Sequence, residues 1–263
     1  METERKKILA ACSAGEITTL EAMFQQFNIG PDHPADVYCL DRNTPMEQQL
    51  PDVSRMLKTA IESQQVETLR FLGTKFPKPS FFGTPMKAAL ESGNTELLKA
   101  VCELEPEIAN MEMGDESNIN ALAFACSQRS AANLIEVLLQ CGADPDAQPP
   151  MRLPARRNVS SAVINGLPVS TIERFFDFGY QGTDPFAISY AVEHERLDVV
   201  EVLFRRTKAL PNAQLPPEND MLQKATDCKN EEMIVAIKDG YASRKKQKKG
   251  LILSLASKVW AWK

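Results

Sequence analysis

A repeated pattern of small and apolar residues is the feature of this sequence that most constrains its fold. An alanine is followed four positions later by a turn and nine positions later by an apolar residue, and this alanine recurs at Ala11, Ala60, Ala89, Ala125, Ala162, Ala191 and Ala225. After a first interval of 49 residues, the spacings are 29, 36, 37, 29 and 34. Each unit predicts a short helix, a tight turn and a second helix. One hairpin of this size cannot bury its apolar face alone, so we expect an all-α solenoid of about six to seven degenerate helical hairpins.

Two stretches of the sequence resemble the ankyrin repeat. TPMKAA at residues 84–89 is similar to the T-P-L-H-x-A start of that repeat. LLQCGADPDAQ at residues 138–148 is similar to the end of its second helix and the hairpin finger that follows, with Gly142 ending the helix and two aspartates in the turn. The resemblance runs from about Arg5 to Lys238. It implies an ankyrin-like solenoid that recognises other proteins, while other helical-hairpin solenoids stay open as the alternative fold.

The charge is divided unevenly along the chain. Residues 243–263 contain seven Lys and Arg and no acid, which leaves a charge of -12 on residues 1–242 out of a total of -5. We therefore expect an ankyrin-like repeat domain over residues 1–242 and a basic, amphipathic tail over residues 243–263. An acidic body is a poor surface for phosphates, so no direct nucleic-acid partner is expected.

The tail has two parts with different chemistry. RKKQKK at residues 244–249 is typical of a nuclear localisation signal or an anion-binding patch. LILSLASKVWAW follows, and at helical spacing its apolar residues share one face, but it is too short to cross a bilayer. Contact with an import factor, contact with an anionic membrane surface, and a fold back to cap the last repeat all remain open. The candidate targeting residues are Arg244, Lys245, Lys246, Lys248, Lys249, Trp260 and Trp262.

Long connections between the units are candidate binding loops, because insertions in solenoids fall on one face, which is often the binding face. The long ones are residues 28–51, 106–118 and 142–157. The second and third carry side chains suited to a protein partner, namely Met111, Met113 and Asp115 in a predicted finger and Arg152, Arg156 and Arg157 on a proline-rich stretch. Two other interpretations stay open: the methionines pack into the next repeat, and the arginines neutralise the acidic body.

The motifs of common enzymes are missing from the sequence. The chain contains no phosphate-binding glycine loop, no nucleophile elbow and no H-E-x-x-H helix, and its two histidines, His33 and His194, lie far apart in the pattern. Asp32, His33, Asp36 and Cys39 share one irregular loop, which collects such residues without needing a metal. The six cysteines form no C-x-x-C pair and are expected to be reduced and mostly buried. We expect no catalytic residue, no cofactor and no metal.

These observations favour a non-enzymatic scaffold or adaptor that binds other proteins. No signal peptide or membrane span is visible, so an intracellular location, cytoplasmic and also nuclear, is expected. A nuclear co-regulator that binds a DNA-binding factor through its repeats, and a membrane-peripheral adaptor that uses the tail, are the alternatives. An enzyme with a site in the concave groove, built from Asp and Glu alone, is the remote one.

Overall fold

The structure, a computed structural model, describes the backbone of residues 2–76, 81, 83–113, 119–147 and 157–260, and the side chains of these ranges between residues 4 and 247. Within these residues the chain forms fourteen α-helices and no β-strand. A single isolated bridge pairs Glu112 with Asn120. The all-α class predicted from the sequence is confirmed.

The helices follow one another as seven pairs, which confirms the seven units of the sequence pattern. The pairs are α1 (Glu2–Ala14) and α2 (Ile17–Gln26), α3 (Val53–Glu62) and α4 (Val66–Lys75), α5 (Thr84–Glu91) and α6 (Thr95–Leu104), α7 (Ala121–Cys126) and α8 (Ala132–Gln140), α9 (Asn158–Ile164) and α10 (Val169–Asp177), α11 (Ala187–Glu193) and α12 (Leu197–Thr207), and α13 (Glu218–Asp227) and α14 (Glu231–Trp260). They belong to two compact units. Unit 1 comprises Met1–Ala125 and Asn133–Ala143, and unit 2 comprises Cys126–Ala132 and Asp144–Lys263.

In unit 1 the first helices pack side by side. Helix α3 lies between α1 and α5, and α4 packs against α6 in a second row. Helix α3 shows why these faces associate: its buried residues Val53, Met56, Leu57, Ala60 and Ile61 recur at three- and four-residue steps and so form one stripe. Each large side chain in such a stripe stabilises the fold by about 1.5–3 kcal/mol through the removal of apolar surface from water.

In unit 2 the same arrangement is repeated by different residues. Helix α11 contacts both α9 and α13, and α12 contacts both α10 and α14. Ion pairs join neighbouring second helices, as where Arg206 Nη2 lies 2.6 Å from Asp177 Oδ1. The hairpins of unit 2 therefore bury their apolar faces against their neighbours in sequence, as expected for a solenoid.

The turn between the two helices of a pair has a recurring geometry. All seven anchor alanines of the pattern are buried. The residue four positions after the alanine has a left-handed backbone in six pairs, namely at Gly15, Gln64, Gly93, Gly166, Glu195 and Lys229. In several pairs the alanine carbonyl also accepts the N–H five positions on, as from Gln65 to Ala60 at 2.9 Å and from Arg196 to Ala191 at 2.8 Å. This is the hydrogen bond that closes a helix at a left-handed residue.

The finger after α8 has the geometry that its sequence predicts. Gly142 has a φ of 88°, and the N–H of Ala143 donates to the carbonyl of Leu138 at 2.9 Å. Asp144 Oδ1 then accepts the N–H of Asp146 at 2.9 Å, which forms the turn. The Asp146 carboxylate in turn accepts the hydroxyl of Thr183 at 2.6 Å, about one repeat further along the chain.

Candidate functional site

Unit 1 contains a groove of about 790 Å³ next to its row of first helices. Residues of α1, α3 and the start of α5 contribute to its lining and are called the helix wall. The other part of the lining, called the second wall, comprises Asp36, Val37, Tyr38, Met46 and Glu47. The second wall belongs to residues 28–52, the longest connection between described helices, which we call the insertion. The groove therefore combines a face of the first helices with one of the long connections that the sequence identified as candidate binding loops.

The insertion is held to the helices mainly by polar contacts. The Nη1 group of Arg5, on α1, faces the carbonyls of Met46, Gln49 and Leu50 at 3.2–3.4 Å and donates hydrogen bonds to them. At the start of α3, the N–H groups of Val53 and Ser54 donate to the carbonyls of residues 34 and 35 of the insertion at 2.9 and 2.8 Å. These contacts fix both sides of the insertion against the helices, so its surface is preorganised.

The insertion also has its own internal hydrogen bonds. The Gln49 amide donates to the carbonyls of Asp41 and Thr44 at 2.7 and 2.6 Å. Asp41 accepts the hydroxyl of Thr44 at 2.6 Å and the N–H of Asn43 at 2.9 Å. These two hydrogen bonds lower the pKa of Asp41 below its ordinary value, the Thr44 contact most strongly.

Three large apolar side chains of the insertion are exposed at the groove. Tyr38 is 81% exposed, Met46 is 48% exposed and Val37 is 44% exposed. A 3₁₀ turn at Val37–Cys39 holds Tyr38, and Asp36 caps this turn by accepting the N–H groups of Tyr38 at 2.9 Å and Cys39 at 3.2 Å. Exposed aromatic and thioether side chains on a fixed backbone are typical of protein-binding surfaces.

The charged residues of the groove are of both signs but are not equally available. The acids include Asp52, which is only 5% exposed and caps α3 by accepting the N–H of Arg55 at 2.8 Å. The cations include Arg55, which is exposed, and Lys58, whose Nζ lies 3.6 Å from Glu62. Arg55 makes no side-chain hydrogen bond or ion pair within the part of the chain that the structure describes. The accessible charge of the helix wall is therefore mainly positive.

The predicted finger that contains Met111 and Met113, for which the sequence left open partner binding and packing into the next repeat, exposes one methionine and buries the other. Met111 is 37% exposed, but Met113 is 3% exposed, so its side chain packs inside unit 1 and is not presented to a partner. The N–H of Met113 donates to the carbonyl of Ile119 at 2.9 Å, which closes the loop and turns this side chain inward. Asp115 lies outside the described residues. Met111 and Asp115 stay predicted partner-binding residues.

Of the three arginines predicted to bind a partner, Arg152 and Arg156 lie outside the described residues. Arg157 is half-buried, and its Nη1 group donates to the carbonyl of Thr183 at 2.5 Å. This contact joins the start of α9 to the connection before α11, within unit 2. A structural contact accounts for the side chain of Arg157, and binding by Arg152 and Arg156 stays a prediction.

The start of the tail is part of the last hairpin. Helix α14 runs without interruption from Glu231 through residues 242 and 243. Arg244 donates to the carbonyl of Ala213, and burial lowers the pKa of its guanidinium below the ordinary value. Lys245 Nζ lies 2.7 Å from Glu218 Oε2 on α13. Two of the basic residues predicted to act in targeting thus also bind the preceding elements of unit 2.

The rest of the tail is described less fully. Lys246 is exposed. Lys248, Lys249 and Trp260 lie on α14, but their side chains are outside the described ones, and Trp262 lies outside the described residues altogether. None of the helices in the described ranges combines the length and apolar character needed to cross a bilayer. The division of the chain after residue 242 and the role of the tail stay predictions.

The remaining candidate chemistry is dispersed. The His33 ring nitrogen Nε2 lies 2.8 Å from the carbonyl of Pro51 and so takes part in holding the insertion, while His194 is exposed on unit 2. Among the described side chains, no group of three or more His, Cys, Asp or Glu is placed to hold a metal ion. Cys12, Cys102 and Cys126 are buried and Cys39 is exposed.

Sequence reasoning missed the residues that define the groove. It identified residues 28–51 as a long insertion on a candidate binding face, but it singled out none of Tyr38, Val37 and Met46. The available signal was an isolated tyrosine and a methionine in a segment rich in proline and aspartate. Such a signal does not show whether the side chains point inward or outward.

Comparison with known proteins gives the fold. Comparisons with protein-family models and with curated protein sequences return no match. Among solved structures, the crystal structure of the ankyrin repeat domain of Bcl-3, described as a unique member of the IkappaB protein family, matches with a TM-score of 0.60. The match has 20% sequence identity and covers 88% of this chain and 97% of that domain. The degenerate ankyrin-repeat fold expected from the sequence is therefore confirmed.

Proposed function

We propose that this chain is a non-enzymatic scaffold or adaptor that binds another protein in the groove of unit 1. The exposed side chains of Tyr38, Met46 and Val37 carry this proposal. Exposure of these side chains to water does not stabilise the fold, whereas a partner that covers them gains binding free energy from the removal of their apolar surface from water. The likeness to an ankyrin repeat domain supports the proposal, although a shared fold alone does not assign a function.

The proposal that the chain is not an enzyme depends on the chemistry of the described residues. His33, the histidine nearest the groove, is engaged with the Pro51 carbonyl, and no nucleophile lies within hydrogen-bond distance of it in the described part of the chain. A general base needs a reacting partner within reach. The groove offers contact surface and charge, which suit recognition.

Capture from a cell lysate with matched variants tests this function. Tyr38→Ala removes an exposed side chain of the groove, and Val235→Ala removes another large exposed side chain, on α14 of unit 2. Both should fold normally, because substitutions at exposed positions change stability by roughly 0.5 kcal/mol or less. We expect proteins that bind the natural chain and Val235→Ala to be lost with Tyr38→Ala. If no protein is retained above background, the scaffold function is wrong. If Tyr38→Ala retains the same set as Val235→Ala, the groove is not the binding surface.

The nuclear co-regulator and membrane-adaptor hypotheses add a targeting role for the tail to this function. Because Arg244 and Lys245 contact unit 2, truncation after residue 242 would disturb the last hairpin as well as the tail. Replacing Lys246, Lys248 and Lys249 by alanine separates the two effects. Loss of nuclear signal in microscopy of this variant supports import through the tail. Salt-sensitive sedimentation with anionic liposomes that the variant loses supports the membrane adaptor.

A further inference from the structure

We propose that the partner segment bound in the groove of unit 1 is an acidic peptide that carries an aromatic or aliphatic residue. This inference rests on the proposed function and names the chemistry of the partner. It is argued from the charges that the groove leaves accessible, from the fixed position of its apolar residues, and from the charge of the rest of the chain.

Two of the three acids of the groove are occupied by the fold. Asp36 accepts two N–H groups of its own 3₁₀ turn, and Asp52 is buried and caps α3. One oxygen of each carboxylate is used by the fold, so these two acids offer a partner fewer hydrogen-bond acceptors than a free carboxylate does. Glu47 is the remaining acid of the lining and is exposed.

Two cations of each of two first helices line the groove. Arg5 and Lys6 lie on α1, and Arg55 and Lys58 lie on α3. Arg5 is engaged with the insertion, but Arg55 is exposed and lacks a side-chain partner among the described residues. The guanidinium presents its donors in a planar fork that matches a carboxylate. An acidic side chain of a partner could therefore bind Arg55 without displacing an existing contact.

The cationic helix wall is opposite in sign to the domain that carries it. Residues 1–242 have a formal charge of -12, so a positive surface within them is a local exception. The chain's own tail, with seven cations and no acid, has the same sign as the helix wall and is a poor occupant. Nucleic acid is also a poor occupant, because the acidic body repels a continuous row of phosphates.

The apolar part of the partner follows from the second wall. Tyr38, Met46 and Val37 are presented by a segment that is tied to α1 through Arg5. Aromatic and methionine side chains accept aliphatic or aromatic anchors, and little ordering cost remains because the wall is already fixed. A peptide with a Leu or Phe anchor flanked by Asp or Glu satisfies both walls at once.

Selection from a random peptide library displayed on phage tests the proposal with the full chain as target. We expect enrichment of peptides with Asp and Glu around one Leu, Phe or Trp. A fluorescent peptide synthesised from the enriched sequences is then titrated with each variant. Arg55→Glu should weaken it about tenfold or more, and the affinity of the natural chain should fall with added salt. Tyr38→Ala should weaken it by at least about tenfold, as for a binding hot spot.

The matched control is Lys99→Glu, which reverses an exposed cation on α6 in the second row of unit 1. It should leave the peptide affinity within about twofold. Loss of binding by Arg55→Glu would not reflect misfolding, because this residue is the third of α3 and a glutamate in the first turn of a helix is favourable.

The other outcomes contradict the proposal in distinguishable ways. Enriched peptides without acidic residues that still depend on Tyr38 would overturn the partner chemistry but leave the scaffold function intact. Peptides that bind independently of both Tyr38 and Arg55 would contradict the groove itself. A dimer in sedimentation that Arg55→Glu dissociates would show that a second copy occupies the groove, and the proposed peptide partner would then be wrong.

Discussion

The left-handed residue after each first helix allows a sharp test of why these hairpins form. Gly93 has a φ of 67° and occupies this position between α5 and α6. A Cβ built on Gly93 would meet no atom within 4 Å, so Gly93→Ala tests the backbone conformation without a steric clash. Gly30, also in unit 1, provides the matched control: a Cβ there also meets nothing within 4 Å, but its backbone is outside the left-handed region.

The two substitutions should have opposite signs. Alanine reduces the conformational freedom of the unfolded chain at either position, which stabilises the folded state by about 0.4–1 kcal/mol. At Gly93 the left-handed conformation costs an alanine about 1–2 kcal/mol. We therefore expect Gly93→Ala to lower the free energy of unfolding by about 0.5–1 kcal/mol and Gly30→Ala to raise it by about 0.4–1 kcal/mol. The unfolded-state contribution cancels in the comparison, which leaves the cost of the left-handed backbone.

Urea unfolding followed by far-ultraviolet circular dichroism measures the free energy of unfolding of both variants. Hydrogen exchange in α5 and α6 shows whether the effect of Gly93→Ala is confined to its own hairpin. Lys229, with a φ of 55°, provides the reverse substitution in unit 2, where Lys229→Gly should raise the free energy of unfolding by about 0.5–1 kcal/mol. Equal effects of Gly93→Ala and Gly30→Ala would refute the reasoning, because the sign of φ would then have no energetic consequence. A lower free energy of unfolding for Lys229→Gly than for the natural chain would also refute the reasoning.

Three further predictions concern buried and charged groups. Asp184 is 4% exposed and accepts three hydrogen bonds, so Asp184→Ala should lower the free energy of unfolding by about 2–4 kcal/mol in urea unfolding; a loss below 1 kcal/mol would contradict this. Cys39 is exposed and should react first with a thiol reagent, whereas burial raises the pKa of Cys126 and should delay its reaction until unfolding, as mass spectrometry of labelled peptides would show. The hydrogen bond from Arg206 lowers the pKa of Asp177, so this pair stabilises the fold above the ordinary Asp pKa and the contribution is lost as the pH falls through the lowered value. Arg206→Gln should therefore cost less than about 1 kcal/mol at pH 7, because the pair is partly exposed, and less again as the pH is lowered through the titration of Asp177; a cost that does not change with pH would contradict the linkage.

The hairpins were predictable from the sequence because their determinants are local. The apolar stripe of α3, at residues 53, 56, 57, 60 and 61, is written at helical spacing within nine positions. The turn that follows depends on one buried alanine and one residue four positions later. Three of the six left-handed positions are not glycine, yet the alanine pattern located them, since the alanine lets neighbouring helices approach and the closing hydrogen bond fixes the turn.

The groove could not be predicted in the same way, because its determinants are distant in the sequence. The insertion that carries the exposed Tyr38 is held against α1 by Arg5, which lies more than thirty residues earlier in the sequence. No periodicity encodes such a contact. For Met113 the sequence left both a partner-binding role and packing into the next repeat open; the side chain is buried, and the hydrogen bond that closes the loop joins its N–H to the Ile119 carbonyl. For Arg244, the basic run suggested a targeting or anion-binding role, while its contact with Ala213 is fixed only by the tertiary structure.

The insertion is informative because it contributes little to the core of unit 1. No residue between 36 and 49 is buried, and neither of its 3₁₀ turns has a buried residue. Ordering each backbone residue costs about 1–2 kcal/mol, and here hydrogen bonds, rather than apolar burial, offset this cost. A connection needed only to join α2 to α3 could be much shorter, since most connections between helices in compact domains have about 2–8 residues. The extra length brings Tyr38 and Met46 into one groove with the cations of α1 and α3, and the proposed binding, rather than the stability of the fold, depends on this arrangement.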